Sequence, residues 1–404
     1  MRKHFPLMMI ALLLLATVVL PSLVMRVLGA PSMAAGTFII SALYVFLLMM
    51  FGPHPWPSKG LGMGVSFIIA VIVIIFAQSA FSFLMNDEFD LGRFWQSCLL
   101  LIIYILGAWS FSNLTQGLSE SHVDAATKVV FNVMLLVGLA GIFKYSPFFD
   151  EINPKAVFFY SEPSHFALSF LPFLLYMVVA SESRMKFLLL FASLLMAIFL
   201  ENLTLVVGIT LISFFAVPLR RLILIFPFAA AMLLGAVDMG YYSARLDFSR
   251  ENDNLSTLVY LQGWERSFLS FIDSFGFGVG FQQFGIVGSL GEISEKIEKL
   301  AGLQLNLLDG GSTAPKFIGE FGFLGLLLIL LYLVYFARSV KWLYELSMSG
   351  TALSDSKQVF FHSCFVMYCI DLFVRGTGYF SPSGFLFISS MWWMVFAKFR
   401  PCRN

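Results

Sequence analysis

The sequence predicts an all-α, polytopic membrane protein built as a helical bundle, and three observations carry that prediction. Hydrophobic residues fill 59% of the 404 positions and charged residues only 12%, a balance that a soluble globule cannot bury. Uninterrupted apolar runs of about 20 residues recur, the length that crosses a bilayer as a helix. Strand-like alternation over about ten residues, the mark of a membrane barrel, is absent. A net charge of +1 gives no reason to expect nucleic acid as a partner. Cys98, Cys364 and Cys369 fall inside apolar runs and Cys402 in a basic tail, so neither a disulfide framework nor a zinc spacing is present.

Met1 to His4 is basic and is followed by an apolar run to about Met25, the pattern of a signal peptide or a first span. A span is expected, because no small-residue cleavage site follows directly and a second apolar run begins at Met33. Further spans are expected at residues 33–52, 61–82, 94–112, 126–145, 165–181, 187–200, 203–217, 221–238, 317–336, 358–375 and 379–397, about twelve in all. The run from Phe187 to Val217 is long for one span and short for two. Arg184 and Lys186 precede it and Arg220 and Arg221 follow it. Basic loops stay in the cytoplasm, so the run is expected to cross and return as two short helices with Glu201 at the far tip. The alternative is one long tilted helix with a buried Glu201.

With the N-terminus inside, 14 of the 25 Lys and Arg residues fall in cytoplasmic segments, nearly all of them short, among them Arg2, Lys3, Lys59, Arg184 and Lys186. The expected organisation is then about nine spans over residues 1–238, a large outward loop over 239–316 and about three spans over 317–404. Both termini are cytoplasmic in this arrangement. An outward loop has no nucleotide supply, so chemistry there requires a substrate already activated on a lipid.

Candidate functional residues cluster in the outward segments. Glu162 and His165, three apart where Pro163 suits a first helical turn, share a face at the start of a span. The alternative is plain helix capping by Glu162 or Ser164. Leu258, Leu261, Trp264, Phe268 and Phe271 recur at helical spacing, with Gln262, Arg266, Ser270 and Asp273 on the other side. That pattern predicts a helix lying on the membrane interface with Arg266 near lipid headgroups. Arg245, Arg250 and Arg266 suit a diphosphate, since a guanidinium donates two parallel hydrogen bonds and keeps its charge; pairing with Asp247, Glu251, Asp253 and Glu265 is the alternative. The Phe275–Gly285 run lacks the glycine spacing of a dinucleotide fingerprint and predicts a tight turn with aromatic anchors. Glu292–Leu300 places Ile293, Ile297 and Leu300 on one face of a short amphipathic helix. Lys316 and Glu320 mark the return to the membrane and are spaced for an intrahelical pair. Arg375, at the outward end of a span, is either a site cation or an anchor. No outward segment holds an Asp-x-Asp pair, a zinc motif or a phosphate loop, so neither a metal nor another cofactor is expected.

The combination of Ser161-Glu162-Pro163-Ser164-His165-Phe166-Ala167, a large outward loop with Arg245 and Arg266, the Gly278-Val279-Gly280-Phe281 turn and the return Lys316-x-x-x-Glu320-x-Gly322-x-x-Gly325 resembles the O-antigen polymerase (Wzy) family. The resemblance covers residues 150–330 at motif level and the rest only as span count. It implies a glycosyltransferase of the bacterial inner membrane that joins oligosaccharide units held on undecaprenyl diphosphate at the periplasmic face, often with a separate chain-length regulator as partner. It further implies that Arg245 and Arg266 bind the donor diphosphate, that Arg250 and Arg375 are weaker candidates for that role, and that Glu162 or His165 accepts the acceptor's proton, with Lys316 and Glu320 in support. Related O-antigen ligases usually carry a histidine shortly before the glutamate and glycine; here Gly310, Gly311, Ser312 and Thr313 stand there, which favours polymerase over ligase. A lipid-linked oligosaccharide flippase is the alternative from another class.

Overall fold

The computed structural model describes residues 5–51, 58–144, 156–218, 239–249, 252–349 and 355–397. The expected span at 221–238, Arg250 and the basic tail with Cys402 lie outside the described residues. The chain runs α1 (Phe5–Val27), α2 (Ala34–Phe51), α3 (Ser58–Met85), α4 (Leu91–Gln116), α5 (Glu120–Ile142), α6 (Pro163–Ala180), α7 (Ser183–Phe199) and α8 (Leu203–Ser213). Beyond residue 238 come α9 (Met239–Leu246), α10 (Leu255–Asp273), α11 (Glu292–Ala301), α12 (Thr313–Ser349), α13 (Ser356–Phe373) and α14 (Pro382–Ala397). Among the described residues the only strand-like pairings are two isolated bridges, Val157 with Tyr160 and Phe284 with Val287.

Among the described residues, six segments are long and apolar enough to cross a membrane: Leu7–Val27, Gly64–Met85, Leu91–Gln116, Glu120–Ile142, Pro163–Ala180 and Thr313–Ser349. Ala34–Met50 and Leu203–Ser213 are apolar but shorter. The protein is therefore helical and membrane-embedded. Local sequence sets several helix starts: Asp90, Ser119 and Asn202 cap α4, α5 and α8 by accepting from the backbone N–H of Arg93, His122 and Leu205, contacts worth about 1 kcal/mol each. Pro163 takes the first position of α6, where no N–H is required.

Helix α6 is the centre of the bundle. It is apolar all round, 72% of it is buried, and it packs on α5, α8 and α13. By contrast α3 is 17% buried and lies at the rim.

Polar contacts gather at the two ends of α6, which is about 27 Å long. At the end called here the site end, Arg375 pairs with Glu162 at 3.0 Å, Arg26 donates to the Phe158 carbonyl at 2.7 Å and Asn202 to the Pro163 carbonyl at 2.6 Å. At the distal end the Tyr176 hydroxyl donates to Asp124 at 2.8 Å, Lys357 lies 3.6 Å from Glu120, and Lys186 donates to Ser347. The Phe187–Val217 run breaks between these ends. It leaves the distal end with Lys186, turns at Glu201 (φ 50°) and Asn202, and returns until the Phe215 carbonyl accepts from Ser347 Oγ at 2.6 Å. No single continuous helix forms there, and Glu201 is the far tip.

Helix α12 is broken at Gly322, with φ 56° and ψ −130°. A Cβ at that position would lie 1.8 Å from the Gly276 carbonyl oxygen, so only glycine fits. The part beyond the break, Phe323 to Ser349, extends about 40 Å and exceeds the bilayer's hydrocarbon thickness of about 30 Å. Thr313–Phe321 is thereby left as a separate helical stretch at the site end.

The helix expected around Trp264 forms as α10, but with its polar side inward. Gln262, Gly263, Arg266, Ser267 and Ser270 are buried, whereas Phe268 and Ile272 are exposed. The placement of Arg266 among lipid headgroups is therefore corrected. Gly263 packs directly on Gly310 and Ser267 lies against Gly319, and this close approach draws Arg266 into the protein, where it is 2% exposed. In α11, Ile297 is buried against Leu258 and Val259 while Leu300, expected on the same face, is exposed.

Candidate functional site

Four segments converge at the site end: the start of α6, the second half of α10 with the run to Phe284, the loop leading into α12, and the link between α13 and α14. At the first of these, Glu162 occupies the N-cap of α6 without capping it. Its carboxylate instead accepts from Arg375 Nη2 at 3.0 Å and from Ser164 Oγ at 3.1 Å, with His165 Nε2 at 3.9 Å. Burial raises the Glu162 pKa, but Arg375, His165 and these hydrogen bonds together hold it below the ordinary carboxylate value. His165 Nδ1 lies 3.2 Å from Ser161 Oγ. Arg375 is aimed by the end of α13, where its N–H donates to the Ile370 carbonyl.

The Phe275–Gly285 run is more than a turn. Val279 N–H donates to the Gly319 carbonyl at 2.9 Å, Gly280 N–H to the Glu320 carbonyl at 3.1 Å, and Phe323 N–H to the Gly276 carbonyl at 2.8 Å. The two glycine clusters of the sequence thus meet as a backbone seam at the break in α12. Gly278, at φ 85°, comes so close that a Cβ would sit 2.4 Å from the Glu320 carbonyl oxygen. Gln78 and Ser82 of α3 donate to the Glu320 and Val279 carbonyls, docking that rim helix on the seam. Beyond the seam the Phe284 ring packs over Gly310 and Gly319, and its N–H points to Glu320 Oε1 at 3.4 Å.

Lys316 is 1% exposed. Its Nζ donates to the Leu308 carbonyl at 2.7 Å, lies 3.7 Å from Asp309 Oδ1 and stands over the Tyr379 ring at 5.0 Å. It forms no ion pair with Glu320, so the intrahelical alternative is not realised. Glu320 is fully buried and its Oε2 has no hydrogen-bond partner. Asp371 accepts from the hydroxyls of Thr313, Ser381 and Ser383, tying the starts of α12 and α14 to α13.

Arg266 differs from every other cation around the site. Nε and Nη1 of its guanidinium are buried without a hydrogen-bond partner, and the Phe284 ring lies 5.9 Å away. Burial lowers its pKa against the opposing influence of Glu265, yet a guanidinium stays charged in a protein. A buried, unpaired charge costs several kcal/mol. Arg266 thus keeps unused donor capacity on two of its nitrogens.

The structure therefore brings together Glu162, His165, Arg375, Lys316, Glu320 and Arg266. Arg245 stands apart: its carbonyl accepts from Thr257 Oγ1 at 3.1 Å, at the first turn of α10, about 14 Å along that helix from Arg266. Four residues of the cluster were not singled out as site residues from the sequence: Phe284, Asp309, Asp371 and Tyr379. Asp309-Gly310 carried a turn signal that marks a structured loop, and Asp371 stands out as an acid inside an apolar run; Phe284 and Tyr379 had no local signal. No group of three or more His, Cys, Asp or Glu residues that could hold a metal occurs among the described residues. No family model, curated protein or solved structure matches the chain.

Proposed function

We propose that this protein is a polysaccharide polymerase of the O-antigen type, a glycosyltransferase that moves a growing chain from undecaprenyl diphosphate onto a new lipid-linked repeat unit. In this reading it sits in the bacterial inner membrane with about twelve spans, both termini cytoplasmic and the 239–316 loop periplasmic. The observation that carries it is Arg266, a buried guanidinium with two unpartnered nitrogens beside a cluster of acid, base and cationic side chains. Arg266 binds the donor diphosphate and stabilises the charge that grows on it as the sugar departs. Arg375, held by Glu162, and Lys316 belong to the same cluster; Arg245 meets the lipid-linked substrate at the outer end of α10. The reaction draws on no cofactor.

One observation favours a transporter of lipid-linked oligosaccharide: α12 is broken, and broken helices mark many transport sites. The length beyond Gly322 counts against it, because the break then falls at the membrane edge rather than at mid-depth. The test supplies purified protein in lipid with one polyprenyl-diphosphate-linked oligosaccharide and EDTA, without sugar nucleotide or lipid A core. A ladder of products is expected. Transfer only after lipid A core is added would make the protein an O-antigen ligase, and no product in either condition would sink the glycosyltransferase reading.

A further inference from the structure

We infer that Asp309 takes the proton of the acceptor hydroxyl, an inference that rests on the polymerase reading. The step needs a carboxylate or imidazole that a sugar can touch and that has a lone pair to offer. Asp371 is fully buried and already accepts three hydroxyls. Glu320 is fully buried behind the glycine seam. Glu162 holds Arg375 and Ser164, and His165, whose side chain is 12% exposed, faces Ser161 and Glu162. Asp309 and Glu162 are both accessible, but Glu162 Oε2 is held by Arg375 at 3.0 Å and by Ser164, which leaves Asp309 the less engaged carboxylate. Its side chain is 47% exposed, and among the described residues it accepts no side-chain hydrogen bond; its charged neighbour is Lys316 at 3.7 Å.

Asp309 is also held still. Its own N–H donates to the Asn306 carbonyl at 3.1 Å, Ser312 N–H to the Gly310 carbonyl at 2.7 Å, and Gly376 N–H to the Gly311 carbonyl at 3.0 Å. The loop is therefore fastened on both sides of the carboxylate, as a base that must meet one hydroxyl requires. The next residue, Gly310, packs on the Phe284 ring that Arg266 faces. A diphosphate bonded to Arg266 then leaves its sugar to extend past Phe284 toward Asp309.

In the step, the acceptor hydroxyl oxygen forms a bond to the anomeric carbon of the donor sugar. The bond from that carbon to the diphosphate breaks, and its electron pair leaves with the diphosphate oxygen beside Arg266. The hydroxyl proton passes to the Asp309 carboxylate and from there to water at the exposed side.

The deciding experiment compares wild type, Asp309→Asn and Asp309→Ala in the single-substrate assay, with undecaprenyl diphosphate binding measured by thermal shift. Asp309→Asn should lower transfer by about 10²-fold or more while the thermal shift with undecaprenyl diphosphate is retained. Formate should restore part of the rate of Asp309→Ala and none of Arg266→Ala. Transfer by Asp309→Asn at the wild-type rate would overturn the inference and leave the polymerase reading intact. Loss of both transfer and the thermal shift in Asp309→Asn, without formate rescue of Asp309→Ala, would make Asp309 a structural residue and equally overturn it. A wild type that makes no ladder would instead remove the parent reading, and this step with it.

Discussion

Lys186 and Arg266 are both buried cations, 4% and 2% exposed, at opposite ends of one bundle, and their surroundings could hardly differ more. Lys186 donates to the Ser347 carbonyl at 2.7 Å and to Ser347 Oγ at 2.6 Å, and Ser347 passes the bond on to the Phe215 carbonyl. That network joins α7, the turn after α8 and α12 and leaves the ammonium with partners. Arg266 has two of its three guanidinium nitrogens without a hydrogen-bond partner, and the Phe284 ring lies 5.9 Å from its Cζ. Lys316, although at the site end, resembles Lys186 in being bonded to a carbonyl. The difference is therefore not one of bundle end but of this one residue. Lys186 is completed by its own chain, whereas Arg266 is left incomplete at a cost in stability.

The sharpest way to break that comparison is Arg266→Met, which keeps an aliphatic stem and removes the charge. Polymer formation should fall by about 10²- to 10³-fold, the usual loss when one stabilising donor is taken from a transition state. Its melting temperature should hold or rise, as an unpaired buried charge has gone. A fall in Tm matching that of the lysine variant would make Arg266 structural as well. Lys186→Met should do the reverse. It leaves the Ser347 carbonyl and hydroxyl short of a donor and should cost about 1–3 kcal/mol in stability, read from denaturation in detergent, with turnover per folded molecule unchanged.

The smallest effect concerns Glu162, whose side chain is 43% exposed and whose ion pair is therefore screened by solvent. Its folded pKa lies below the ordinary 4.5. Its ion pair therefore stabilises fully above that value, and the stabilisation is lost as pH falls through the folded pKa. Glu162→Gln should lower Tm at neutral pH by the equivalent of less than about 1 kcal/mol, and the gap to wild type should close on titration below pH 4.5. A gap independent of pH would assign the effect to packing instead of charge.

Much of the bundle was legible because membrane burial acts on composition. Long apolar runs have few other uses, and flanking basic residues place both ends of the Phe187–Val217 run together, which the bond from Ser347 to the Phe215 carbonyl and the contact of Lys186 with Ser347 realise. The site was legible only in part. Glu162, His165, Arg266, Lys316 and Arg375 stand out as polar residues beside apolar runs, yet nothing in their spacing says which are paired. The inward turn of α10 illustrates why. An amphipathic pattern reports two faces but not which one meets protein when lipid is the solvent on the other side, and here small residues at Gly263 and Ser267 bring the polar face in.

What the sequence determined by itself was the helical membrane class, most helix positions, the hairpin at Glu201 and the concentration of polar side chains near one loop. These follow from local properties: run length, flanking charge, capping residues and glycine. Only the tertiary structure decided that Arg375 belongs to Glu162, that Lys316 turns to Leu308 rather than Glu320, that Asp309 stands half-exposed beside Lys316, and that Arg266 is buried with Nε and Nη1 unpartnered. Pairing and burial depend on which segments meet across more than a hundred residues of chain, as Glu162 and Arg375 do at a separation of 213, and no local pattern encodes that meeting.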